Sequence, residues 1–197
     1  IIDYMYYSRD AVINLKIKRG NKSRSFNVRK KEDEPFGFEL KSFRTKTCRN
    51  KCVFCFVHQL PRGMRRTLYV KDEDYRFSYL YGAYVTLTNL TEDDLQRILK
   101  KRLSPLYVSV HAAESELRQE LLGKRAQDVM PLLRRLVEGG IEIHTQVVVC
   151  PGINDGEHLA HTCRELVALA PGIKSLAIVP VGLTGHRQRL PELRIHT

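Results

Sequence analysis

Cys48, Cys52 and Cys55 place three of the chain's five thiols within eight residues. Thiols crowded in this way, with no secretory signal in view, are metal or cluster ligands more readily than disulfide partners. Three thiolates are one ligand short of a closed tetrahedral zinc site, and one short of the four that an iron–sulfur cube takes from protein. The missing ligand would be an open coordination position.

Three other accounts of the same residues are available. Positions i, i+4 and i+7 fall within an arc of about 60° on a helix, so the cysteines could form a small apolar stripe on a buried face. Zinc could be held by a Cys3His set, with His58 spaced from Cys55 as a ligand pair requires. A disulfide framework is the third account, and an odd count of five cysteines does not suit it.

The spacing C-x3-C-x2-C, with Phe54 just before the third cysteine, resembles the signature of radical S-adenosylmethionine (SAM) enzymes. The resemblance implies that Cys48, Cys52 and Cys55 hold three irons of a 4Fe-4S cluster whose fourth iron chelates SAM. It also implies that Phe54 lies beside the adenine.

A metal centre of this kind needs a scaffold, and the sequence supplies signs of one. The 197 residues, 43% hydrophobic and 28% charged, suit a globular fold with a sizeable core. No apolar run approaches the ~20 residues that cross a bilayer, and the expected location is cytoplasmic. The chain starts at Ile1 and stops at Thr197 without a terminating element, so it reads as an excerpt of a longer protein. Charge is uneven. Residues 1–66 carry 17 Lys or Arg against 6 Asp or Glu, while residues 67–197 carry 16 of each. Such asymmetry suits a nucleic-acid or other acidic partner, or simply a solvated face.

Along the chain, residues 1–8 show helical spacing, and residues 11–18 and 23–29 alternate on either side of a Gly20-Asn21 turn. This helix and hairpin resemble the last third of a PDZ-like domain over residues 1–35. Charge and Pro35 mark a boundary, and residues 36–43 are expected to form a strand that runs into the cysteine loop. Residues 62–81 read as a long polar and aromatic connection. From there strand-like runs at 83–88, 106–110, 141–149 and 174–181 alternate with helical patterns at 92–101, 129–138 and 157–169. Thr91 with Asp94 reads as a helix start, and Gly139-Gly140 as a stop. The rhythm predicts an α/β fold with a parallel sheet. In such sheets ligands bind at the C-terminal strand ends. Those ends carry Asn89, Ser109, His111, Cys150, Pro151, Asn154, Gly182 and Thr184.

The runs CVFCFVHQLPRGMRRTLYVKDEDYR, YGAYVTLTNLT, RLSPLYVSVHA, GIEIHTQVVVCPGINDG and VPVGLTGHR sharpen the resemblance. They are similar to a bacterial radical SAM subgroup that pairs a PDZ-like front segment with a C-terminal domain of unknown function, number 512. Residues 36–197 would then be a partial (β/α)6-type barrel, truncated before the sixth strand. Thr88, Asn89 and Leu90 stand where many members carry a Gly-Gly-Glu-Pro run that binds the SAM amino group, and this chain lacks that run. Ser109, His111 and Gln146 fall at positions for the ribose or carboxylate, although His111 equally suits a hydrogen-bonded pocket wall. His144 and Gln146 alternate on one strand and should share a face.

The resemblance further implies that a reduced cluster cleaves SAM to a 5'-deoxyadenosyl radical, which abstracts hydrogen from an unknown substrate. An electron donor such as flavodoxin or ferredoxin would supply the electron. Arg49 and Lys51, beside the ligands, are expected to raise the cluster potential. Cys150 and Cys163 read as structural, and His158, His161, His186 and His196 as solvated. The competing class is a basic nucleic-acid-binding module stapled by zinc.

Overall fold

The computed structural model describes residues 2–34, 36–38 and 44–195. They fall in two compact units, Ile1–Arg44 and Thr45–Thr197.

The first unit carries a short helix α1 (Ile2–Tyr7) and an antiparallel pair β1 (Val12–Arg19) and β2 (Lys22–Arg29). Arg19 pairs with Lys22, so the turn is the two residues Gly20 and Asn21, with Gly20 at φ +59°. Positive φ at this position matches the right-handed twist of the strands, and glycine reaches it without steric cost. The Phe36 N–H donates to the Tyr4 hydroxyl at 3.0 Å. Of the strand expected over residues 36–43, the first three residues have no strand geometry, and the other five lie outside the described residues, as does Pro35.

The second unit is a parallel sheet with helices between its strands. Its elements are α2 (Tyr75–Tyr81), α3 (Glu92–Lys101), β3 (Leu106–Ser109), α4 (Ser115–Leu122), α5 (Met130–Glu138), β4 (Ile143–Val149), α6 (Gly156–Val167) and β5 (Ile173–Pro180). The strands lie in the order β3-β4-β5, all parallel. The strand expected at 83–88 is reduced to a single parallel bridge between Val85 and Val108, after which Leu87 turns at φ +59°. The long connection expected over 62–81 is interrupted by α2. Asp74 caps that helix by accepting the Arg76 N–H, and Gly82 ends it at φ +69°.

The helices pack by the periodicity that predicts them. In α3, Thr91 and Asp94 form a reciprocal capping box, Leu95 and Ile98 point inward, and acids in the first turn with lysines in the last match the helix dipole. In α5, Met130, Leu133 and Leu136 form the buried stripe. The helix stops at Gly139, where an added Cβ would lie 2.2 Å from Leu99 Cδ2, so α5 and α3 approach too closely there for a side chain. Along β4, buried Ile143, Thr145, Val147 and Val149 alternate with half-buried His144, Gln146 and Val148. The expected shared face of His144 and Gln146 is thereby present. Among the described residues no helix is long and apolar enough to cross a membrane.

Candidate metal centre

The cysteine loop is irregular backbone held at both ends. Cys48 N–H donates to Lys71 O at 2.8 Å and Glu73 N–H to Lys46 O at 2.9 Å, so residues 46–48 run antiparallel to 71–73. Lys51 and Val53 then donate to Leu122 O and Leu121 O, each at 2.9 Å, which docks the loop on the end of α4. No helix spans residues 48–55, so the apolar helical stripe is not how these cysteines are used. All five cysteines are free thiols, and the disulfide account fails as well.

Cys52 is buried in an apolar cluster with Leu121, Leu122, Cys150 and Val181, while Cys48 and Cys55 are half-buried. Burial, then the neighbouring Cys55 and Cys48, push the Cys52 thiol up to about 12. Burial likewise raises Cys48. The three sulfurs therefore sense one another, in a place where ionised thiolates need a positive group for company. The cation whose charge acts on both Cys48 and Cys52 is Lys71. Arg49 and Lys51, expected to act on the cluster, have exposed side chains.

Lys71 Nζ donates to Asn50 O at 2.8 Å and lies 3.0 Å from His58 Nε2. An ammonium has no lone pair, so the imidazole nitrogen must be the acceptor. Burial and Lys71 both lower the His58 pKa, and its Nε2 is engaged away from the zinc role. Among the described residues, no three His, Cys, Asp or Glu side chains gather as ligands of a single ion would. The loop itself supplies three sulfurs, a soft donor type that iron–sulfur clusters take from protein, with each thiolate on a different iron.

Several braces of this loop carry no sequence motif. Asn50, 5% exposed, donates to Thr86 Oγ1 and accepts from Thr88 Oγ1, both at 2.9 Å, tying the loop to the turn beside β3. Gln59, fully buried, donates to Phe54 O and Gly182 O at 3.2 Å and accepts the Thr184 N–H at 3.0 Å. Arg118, 1% exposed, donates to Val110 O, Gln127 O and Thr86 O. Glu73, also buried, accepts the Leu87 N–H at 2.7 Å and holds that residue in its left-handed turn.

The residues singled out for SAM form two groups. The Phe54 and His111 rings are 4.7 Å apart, and Ser109 lies opposite Gln146 in the β3–β4 register. His111, nearly wholly enclosed at φ +66°, accepts the Val148 N–H at Nδ1 and is held neutral by burial, with its pKa lowered to about 3. Its carbonyl accepts from Asn154 Nδ2, whose Oδ1 takes the Cys150 N–H, so Asn154 fastens the ends of β3 and β4. Asn89 is separate. It donates to Glu73 O and lines a recess of about 540 Å³ beside the loop, together with Thr47, Arg49, Asn50 and Thr88. His158 is exposed, as expected, and its Nδ1 lies 2.8 Å from Glu114 Oε1; His196 lies outside the described residues.

Comparison with known proteins adds three findings. The model of the radical SAM-like domain family matches residues 30–176. The crystal structure of Streptococcus suis SuiB superposes with a TM-score of 0.53 at 14% identity, over 77% of this chain and 40% of that one. SuiB bound to S-adenosylmethionine gives 0.50 at 16% identity, over 72% and 38%. The chain thus spans about two fifths of the length of SuiB, and the likeness is one of fold. No curated protein matches.

Proposed function

The chain belongs to the family of radical SAM-like domains, and from that premise we propose that it is the core of a radical SAM enzyme that binds a 4Fe-4S cluster through Cys48, Cys52 and Cys55. The observation that carries this reading is a loop of three free thiols at the C-terminal side of a parallel sheet, where Cys52 packs with Cys150 and Val181 and Phe54 meets His111, residues just past the ends of β4, β5 and β3. That is where open α/β sheets bind ligands.

When bound, the reduced cluster supplies the electron that splits the SAM sulfonium into methionine and a 5'-deoxyadenosyl radical. The protein's own groups do the rest. Asn50, Gln59 and the end of α4 fix the loop, and the apolar surround of Cys52 keeps water away. Phe54 offers its ring to an adenine, and Ser109 and Gln146 offer polar groups from paired positions of β3 and β4. His111 supports Phe54 and the β4 backbone as a neutral wall residue. Asn89 and the Thr88 hydroxyl stand at the recess where the SAM amino group would be met.

The substrate is a molecule other than SAM, and electrons come from a small redox protein. For the first unit the reading is the closing helix and hairpin of a PDZ-like domain, supported by the order α1-β1-β2. Protein prepared and reconstituted without oxygen should be brown and hold about four irons and four sulfides per chain. With dithionite and SAM it should release 5'-deoxyadenosine. One zinc per chain and no sulfide would overturn the reading.

A further inference from the structure

We propose that Lys71 is the charge clamp of this centre, a positioning residue whose ammonium group sets the reduction potential of the cluster held by the cysteine loop. The inference rests on the reading above and adds a role to a residue to which the resemblance assigns none.

Lys71 meets the loop at three points. Its carbonyl takes the Cys48 N–H at 2.8 Å, its Nζ donates to the carbonyl of Asn50, between the first and second cysteines, at 2.8 Å, and it reaches His58 Nε2, three residues past the third, at 3.0 Å. A lysine is ordinarily a flexible point charge. Here the ammonium is pinned across the loop by one carbonyl and one imidazole, and the residue is half-buried, so water and salt screen it less than they screen the exposed Arg49 and Lys51.

Reduction adds one negative charge to an iron–sulfur cluster. A fixed cation alongside favours the reduced state and raises the potential, since net charge and hydrogen bonding set where such clusters titrate. His58 contributes by accepting from the ammonium: a neutral ring with its proton on Nδ1 holds the charge in place without adding a second one.

The test compares the anaerobically reconstituted wild type with Lys71→Met, Lys71→Gln and Lys71→Arg. Iron and sulfide are counted, and a potentiometric titration without SAM is followed by the electron paramagnetic resonance of the reduced cluster, so activity is not the readout. The two neutral variants should load the cluster and titrate at lower potential, with Lys71→Arg close to wild type. Loss of iron from both neutral variants while Lys71→Arg stays loaded also supports the charge role. Equal potentials in all loaded proteins would overturn it, as would loss of iron from all three variants, which would make Lys71 a strap only. Failure of the wild type itself to take up iron and sulfide would instead overturn the cluster reading, and this inference with it.

Discussion

Gln59 and Thr184, 125 residues apart in sequence, hold each other twice: the Thr184 N–H donates to the Gln59 side chain at 3.0 Å and its hydroxyl to the Gln59 carbonyl at 2.9 Å. The same side chain donates to Phe54 O and Gly182 O, so the cysteine loop and the segment after β5 share one buried amide. Gln59→Leu leaves these partners unmatched, and each unmet buried group costs on the order of 1–3 kcal/mol. Denaturant unfolding should show a loss of roughly 3 kcal/mol or more for the three partners together, and iron uptake should fall with it. A variant as stable as wild type would mean that the two segments are held independently.

Arg118 offers a sharper case. Its guanidinium serves three carbonyls on three different segments, and burial lowers its pKa to about 10 although Glu73 and Asp128 oppose the shift. Arg118→Met removes all three bonds at once. Since bonds to a charged donor contribute about 1.5–3 kcal/mol each, the unfolding free energy should fall by at least about 3 kcal/mol. A smaller change in the urea midpoint at constant m-value would show the segments rearranging to satisfy themselves.

His111 makes stability depend on pH. In the fold, burial and then the Arg118 charge hold its pKa near 3, against 6.5 as an ordinary histidine. Between those values the unfolded chain binds a proton that the folded chain does not, so stability is complete above about pH 6.5 and drains away as the pH falls toward 3. One group of this kind contributes a slope of up to about 1.4 kcal/mol per pH unit. His111→Gln should flatten the stability profile between pH 6 and 4.5 relative to wild type. Parallel profiles for the two proteins would place the titrating group elsewhere.

The cysteines divide by place. Cys48→Ala, Cys52→Ala and Cys55→Ala should each abolish stable iron and sulfide binding, whereas Cys163→Ala, changed on α6, should retain the wild-type content of about four irons. Colorimetric iron and sulfide assays on the reconstituted proteins decide it. Equal iron in Cys52→Ala and Cys163→Ala would remove the loop from the metal's account.

Much of the scaffold is legible from local pattern. The capping box at Thr91, the stripe Met130, Leu133 and Leu136, the Gly139 stop and the alternation of β4 all follow from rules that act within a few residues. Helix α4 is hidden because one of its inward positions is Arg118, which breaks the apolar period that would reveal it. Helix α2 is hidden by a run of tyrosines and phenylalanine that reads equally well as strand or connection. At the candidate site, the cysteine spacing is a local signal and is plain. Lys71 is not, because its approach to Asn50 depends on the chain folding back on itself across 21 positions. Sequence neighbours such as Arg49 draw attention first and lie exposed. Asn50, Gln59 and Glu73 stand in the quoted runs without a readable role, since a buried amide or acid announces itself only when its partners are known.

The alternation along β4 divides two tasks between interleaved positions. Ile143, Thr145, Val147 and Val149 are committed to the interior, so their sizes are fixed by neighbours already in place. His144, Gln146 and Val148 are half-buried, and two of them have neighbours of their own: His144 stacks on Tyr107 and meets Ser175, and Val148 packs against the cluster around Cys52. An engineer working on this strand would meet two kinds of letter, one set answering to the interior and the other to the opposite face with its own neighbours at Tyr107, Ser175 and the Cys52 cluster.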